Sequence, residues 1–152
     1  MAVDIAVDPL ECTNNCARNE PDALAVMAAA PRGALLHAPD CYMNKIAGPP
    51  ELAGHVSLDA PVADNLAAAA NVLGKPVSEV RVIVLERSRH ERLIAEIHAV
   101  GAKLQLIGDG DIAGALRAAT GEVDLLLGIG AAPEGVIAAT ALRGIGGVFE
   151  GR

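Results

Sequence analysis

Asp8, Glu11 and Thr13 lie in the stretch Asp8-Pro9-Leu10-Glu11-Cys12-Thr13, directly after the apolar run from Val3 to Val7. Carboxylates are hard oxygen ligands that suit Mg2+ or Mn2+, and such ions carry phosphate oxygens and an activated water. Pro9 fixes one backbone angle, so the pattern predicts a tight turn where the strand stops, with the Asp8 and Glu11 carboxylates held close together.

Three further segments are rich in polar residues, and each follows an apolar run. They are Glu86-Arg87-Ser88-Arg89-His90, Gly108-Asp109-Gly110-Asp111 and Gly128-Ile129-Gly130-Ala131-Ala132-Pro133-Glu134. Each precedes an expected helix N-terminus, where free backbone N–H groups favour phosphate. Together they predict a site for a polar, phosphorylated small molecule. Taken singly, each keeps a plainer reading. Arg89 and His90 suit a solvated first turn, Asp109 and Asp111 are common turn and cap residues, and Glu134 complements a helix dipole. Gly128-x-Gly130 lacks the third glycine of a dinucleotide fingerprint, with Pro133 in its place. His37, His55 and His98 have no partner at a ligand-like spacing.

The elements that must position these residues follow from hydrophobic pattern and breakers. Val3 to Val7 and Leu24 to Ala29 read as short strands, with Gly33 to His37 expected to pair with the second as a hairpin. Residues 38–50, carrying Pro39, Gly48, Pro49 and Pro50, read as loop around at most a short helix. Asp59-Ala60-Pro61 reads as a helix start and Gly74-Lys75-Pro76 as its stop. From Arg81 the pattern alternates regularly. Strands are expected at 81–85, 103–107 and 123–127, with helices at about 88–100, 111–120 and 133–142. That alternation implies parallel strands and right-handed crossovers, which place the three polar segments on one sheet edge.

Composition narrows the class of function. The chain has 152 residues, 52% of them hydrophobic and 20% charged, which fits a globular unit and not a disordered one. Tyr42 and Phe149 are its only aromatic residues, so Ala, Val, Leu and Ile must build the core. A net charge of -7 argues against nucleic acid or an anionic membrane surface as partner. Cys12, Cys16 and Cys41 match neither a disulfide framework nor a zinc site, and the longest apolar run, Ala23 to Ala30, is too short to span a membrane. With no signal-peptide pattern at the N-terminus, the expectation is a soluble cytoplasmic protein with reduced thiols.

Several motifs in order carry a family resemblance. They are Asp8-Pro9-Leu10-Glu11-x-Thr13-Asn14, Ala38-Pro39-Asp40-x-Tyr42-Met43-x-Lys45, Arg89-His90-Glu91, Asp109-Gly110-Asp111, Gly128-Ile129-Gly130-x-Ala132-Pro133-Glu134-Gly135 and Ala141-Leu142-Arg143. Together they resemble class II fructose-1,6-bisphosphatases, within the lithium-sensitive, metal-dependent sugar phosphatases. The resemblance covers this chain and implies family segments beyond both of its ends. It implies an α/β fold, a partly parallel sheet with flanking helices in a layered sugar-phosphatase-like architecture, as an incomplete copy of the family fold. Residues 1–76 would be the remainder of an N-terminal metal-site domain, and 77–152 a Rossmann-like βαβαβα substrate-binding half.

The implied reaction is hydrolysis of the 1-phosphate of fructose 1,6-bisphosphate, or of sedoheptulose 1,7-bisphosphate in some relatives, with Mn2+ or Mg2+. By the same resemblance, Asp8, Glu11 and Glu134 match metal ligands, and Asp8, Glu11 and Thr13 match catalytic positions, Thr13 beside the attacking water. Glu11, Cys12, Thr13, Tyr42, Arg89, His90, Glu91, Asp109, Gly110, Asp111 and Ala131 match substrate contacts. The expected partners are a phosphorylated sugar and further copies of the chain. Cys12 and Ala131 stand where the family carries glycine, and Ser88 where it carries proline. If either glycine position needs positive φ, a side chain there costs of order 1 kcal/mol. The alternatives are a non-catalytic sugar-phosphate-binding fragment, or a relative acting on inositol or nucleotide phosphates.

Overall fold

The computed structural model describes residues 2–152. Its order is β1 (Val3–Glu11), α1 (Thr13–Ala17), β2 (Leu24–Pro31), β3 (Tyr42–Gly48), α2 (Val62–Val72), β4 (Arg81–Leu85), α3 (Glu91–Val100), β5 (Lys103–Ile107), α4 (Asp111–Ala119), β6 (Leu125–Ala131), α5 (Ala132–Ile145) and β7 (Val148–Gly151), with short 3-10 turns between.

Five strands form one sheet in the order β5-β4-β6-β3-β7. β4 runs parallel to both β5 and β6, as the alternating pattern predicts, whereas β3 is antiparallel to β6 and to β7. Strand periodicity divides the core. Val82, Val84, Ile46, Leu125 and Leu127 pack against α2 and α3 on one face. Ile83, Ala47 and Leu126 pack against α4 and α5 on the other. The chain winds from β4 to β5 and back to β6, so α3 and α4 fall on opposite faces, as right-handed crossovers require. Small residues let α4 approach closely: a Cβ at Gly114 would lie 2.8 Å from the Leu126 side chain and 3.2 Å from that of Ile83.

A separate hairpin of β1 and β2 lies over α4 and α5. Its inner positions, Ala6, Val26 and Ala28, meet Ile112, Leu116 and Ile137. Its outer positions pair Val3 with Pro31, Ile5 with Ala29 and Val7 with Met27, and all six are exposed and apolar.

Four expectations need correction. Residues 33–37 form no strand; β2 pairs instead with β1. Residues 42–48, expected in a loop, form β3 inside the sheet. Asn44 and Lys45 hid that strand from the hydrophobic pattern. β1 does not stop at Val7 but continues to Glu11 with a register shift between Asp8 and Glu11, where Pro9 leaves the ladder and the Leu10 N–H donates to Asp8 Oδ1 at 3.0 Å. β6 starts later than expected and runs through Gly128 to Ala131, so those residues form strand rather than loop.

The two ends of the sheet treat charge differently. At the start of β6, Asp124 accepts from Lys75 Nζ at 2.8 Å, from the Arg81 N–H at 2.7 Å and from the Arg81 guanidinium at 3.2 Å. Burial pushes its carboxyl up, but these donors outweigh burial and hold it below the usual range. That end is electrostatically closed. The opposite end, where β4, β5 and β6 finish and β3 begins, carries the acidic cluster.

Candidate active site

Asp8, Glu11 and Glu134 meet at that edge, each offering a carboxylate oxygen, and the three oxygens lie within 4.8 Å of one another. The bulge in β1 brings Asp8 and Glu11 to the cluster, and the first turn of α5 brings Glu134. Pro133 suits that first turn, where its missing N–H costs nothing. Glu11 is buried and the other two are half-buried. Burial pushes the Glu11 carboxyl up to about 8, and the neighbouring Glu134, Asp8 and Asp111 carboxylates act the same way. Burial and Asp111 push Glu134 up to about 7, with Lys45 pulling it down. Carboxylates forced together in a half-dry corner must take up either protons, as the upward shifts show, or a cation. The donor set, all hard oxygen at one point, fits a divalent ion of the Mg2+ or Mn2+ kind.

Cys12 follows directly, with φ 64 and ψ 51 at the entry to α1. Its left-handed backbone turns the chain so that Thr13 opens the helix on the exposed surface. The thiol is buried at 3% exposure and is pushed up to about 12 by burial and by Glu11, Asp109 and other nearby carboxylates, so it stays protonated. Gly110 faces it: with φ +89, a Cβ there would sit 2.6 Å from Cys12 Sγ. Gly110→Ala is expected to cost about 2–3 kcal/mol in urea unfolding, combining left-handed strain with that clash. Combining it with Cys12→Gly should recover the clash but not the strain; full additivity of the two changes would contradict this contact. Ala131, the other residue for which the resemblance implies a glycine, has φ -69 and ψ 141, an ordinary extended conformation with no strain.

A second group forms along β6. Arg89 donates to the Ile129 carbonyl from Nε at 3.0 Å and from its terminal nitrogen at 2.8 Å. The same guanidinium lies over the Tyr42 ring, 4.8 Å from its centre, and Tyr42 pairs with Ala131 in the β3–β6 ladder. His90 is 1% exposed and spends both ring nitrogens on backbone. Nε2 accepts from the Ile129 N–H at 2.7 Å, so Nδ1 carries the proton and donates to the Leu85 carbonyl at 2.7 Å. Burial holds this imidazole below its usual range, with Arg89 and Arg87 acting in the same direction. Glu91, in contrast, begins α3 on the exposed surface.

Asp109 and Asp111 flank Gly110 at the end of β5. Asp109 is half-buried, 3.7 Å from the Arg87 guanidinium, which donates to the Gly108 carbonyl at 2.6 Å. An open cleft of about 530 Å3 extends from here, lined by Cys12, Asn14, Arg18, Arg87, Asp109 and Arg117 among others. Asp111 is buried and takes an ion pair from Lys45 at 2.6 Å. Sequence reasoning gave Lys45 no role. Its signal was a lone cation amid apolar residues, which only the strand assignment turns into a buried charge.

A family model described as bacterial fructose-1,6-bisphosphatase, glpX-encoded, matches residues 1–152. The chain belongs to this family. Among curated relatives, it is 48% identical to a D-fructose 1,6-bisphosphatase class 2/sedoheptulose 1,7-bisphosphatase of Synechococcus sp. (strain CC9605) over 99% of this chain and 46% of that protein. It is 48% identical to the protein of that name from Prochlorococcus marinus (strain MIT 9303), with the same coverage. It is 50% identical to the one from Synechococcus sp. (strain JA-3-3Ab), over 99% of this chain and 44% of the relative. The chain thus spans under half the length of the fructose-1,6-bisphosphatase relatives it matches. Among the described residues no helix is long and apolar enough to cross a membrane.

Proposed function

We propose that this chain carries the phosphate-releasing half of a class II fructose-1,6-bisphosphatase site, removing the 1-phosphate of fructose 1,6-bisphosphate or sedoheptulose 1,7-bisphosphate. The observation that carries the reading is the Asp8, Glu11 and Glu134 cluster at the sheet edge where Tyr42, Arg89, Asp109 and Asp111 also arrive. Asp8, Glu11 and Glu134 would hold Mn2+ or Mg2+, which when bound supplies charge neutralisation on the phosphoryl group and an activated water. Thr13, exposed one residue beyond the bend at Cys12, orients that water by accepting or donating through its hydroxyl. Arg89, preset by Ile129 and Tyr42, offers its remaining donors to a phosphate. Asp109 and Asp111 accept sugar hydroxyls, and Gly110 brings its backbone close to the sugar. His90 serves from beneath, by fixing Ile129 and hence Arg89. Glu91 and the backbone around Cys12 and Ala131 complete the substrate contacts proposed.

Phosphate release from fructose 1,6-bisphosphate with Mn2+ tests this reading. It predicts release by the wild-type chain above that of a Glu11→Ala variant. Equal release from the two, with sugar phosphate still bound, favours the non-catalytic binding fragment instead.

We further propose a cytoplasmic homo-oligomer. The support for self-association is the outer face of the hairpin, where Ile5 is 59%, Val7 62% and Met27 68% exposed, with no further strand on either hairpin edge among the described residues. Size-exclusion chromatography with light scattering should find a dimer or larger species that Ile5→Lys with Met27→Lys returns to monomer. A wild-type chain that stays monomeric at every concentration would refute it.

A further inference from the structure

Lys45 is the only buried lysine or arginine among the described residues, at 2% exposure. It stands on β3 opposite Gly128 of β6, and its Nζ donates to Asp111 Oδ2 at 2.6 Å. Two glycines keep its path open. A Cβ on Gly130 would overlap Asp111 Oδ2 and lie 3.0 Å from Lys45 Nζ, and one on Gly135 would lie 3.1 Å from Lys45 Cε. Gly130 is not in the left-handed region, so its requirement is space and not backbone freedom. Glu134 and Glu11 both feel the Asp111 charge, and Glu134 shares a side-chain hydrogen bond with Asp111, so this carboxylate sits in a crowded acidic corner where its direction matters.

We propose that Lys45 is a positioning residue of the sugar-phosphate site, threaded between Gly130 and Gly135 to clamp Asp111 by Oδ2. The clamp keeps Asp111 at its station beside Glu11 and Glu134 and fixes the direction in which its carboxylate is presented to a sugar hydroxyl. This rests on the reading of Asp111 as a sugar contact. A buried charge pair held for stability alone would leave sugar binding indifferent to how Asp111 is aimed.

Two variants separate aim from charge. Lys45→Met removes the clamp and its charge, whereas Gly130→Ala displaces Asp111 and leaves every charge in place. Binding is measured by calorimetry with fructose 6-phosphate in Mn2+, because this product cannot turn over. Mn2+ occupancy is followed by electron paramagnetic resonance, and folding by thermal melting. Both variants should weaken sugar-phosphate binding about 10-fold or more, the loss of one charge-assisted hydrogen bond. Gly130→Ala should retain its Mn2+. Wild-type affinity in folded Gly130→Ala would overturn the clamp while leaving the phosphatase reading intact. If Lys45→Met fails to fold, Gly130→Ala alone decides. A wild-type chain that binds Mn2+ but no fructose 6-phosphate would overturn the clamp together with the sugar site it serves.

Discussion

Glu11→Gln is expected to lower Mn2+ affinity by about 100-fold or more and to abolish phosphate release, without lowering the melting temperature of the metal-free chain. Glu11 is the most buried of the three cluster carboxylates, at 4% exposure, and feels both Asp8 and Glu134. A neutral amide of the same shape keeps one oxygen but removes the charge that makes the cluster a cation site. In the metal-free chain burial and the neighbouring carboxylates hold Glu11 up to about 8, so near pH 7 folding must protonate it; the neutral amide removes that cost, and stability should hold or rise. Electron paramagnetic resonance titration and a melt without metal read the two effects separately. A variant that binds Mn2+ like wild type would remove Glu11 from the site. One that melts well below it would make Glu11 a structural residue. Loss of function with gain of stability is the signature of a strained site.

His90→Ala is expected to destabilise the chain by about 3 kcal/mol in urea unfolding at pH 8. The substitution opens a cavity and leaves both the Leu85 carbonyl and the Ile129 N–H without partners. The pH dependence has a definite sign. The folded protein holds His90 below its ordinary value of about 6.5, so the unfolded chain binds the proton first as pH falls. The His90 contribution is therefore complete above about pH 6.5 and declines below it. The gap between wild type and His90→Ala should be smaller at pH 5.5 than at pH 8. A constant gap would show that the imidazole is not locked as the neutral Nδ1–H form. Because Ile129 also receives Arg89, the variant should weaken phosphate binding even though both His90 ring nitrogens are spent on backbone.

What the sequence disclosed followed the range of the interactions. The strands 81–85 and 103–107 were legible to the residue because Val82 to Leu85 is an apolar run that ends at Glu86-Arg87 and Lys103 to Ile107 alternates between Gly101 and Gly108, and Gly101 closes α3 in the left-handed conformation expected of a C-cap. The convergence of the segments that follow β4 and β5 with the last residues of β6 and the start of α5 followed from parallel topology alone. β3 was not legible. Its centre holds Asn44 and Lys45, and Lys45 is tolerated in the core only through Asp111, 66 residues away. The hairpin was misread because its partner choice depends on the surface of α4 and α5, which no local pattern reports. At the site, the chemistry of Asp8, Glu11 and Glu134 was readable from residue type, while their approach depended on a β-bulge at Pro9 that looked like a strand end. Of the two positions where the resemblance implies glycine, Cys12 has the left-handed backbone at which a side chain is strained, and Ala131 does not.

The central claim is that Asp8, Glu11 and Glu134 together bind a divalent cation. Diffraction from crystals of the chain grown with Mn2+, recorded across the manganese absorption edge, tests it most directly. The account predicts an anomalous peak among these three carboxylates that vanishes in Glu11→Gln. Strong manganese peaks elsewhere on the chain, with none between Asp8, Glu11 and Glu134, would contradict it.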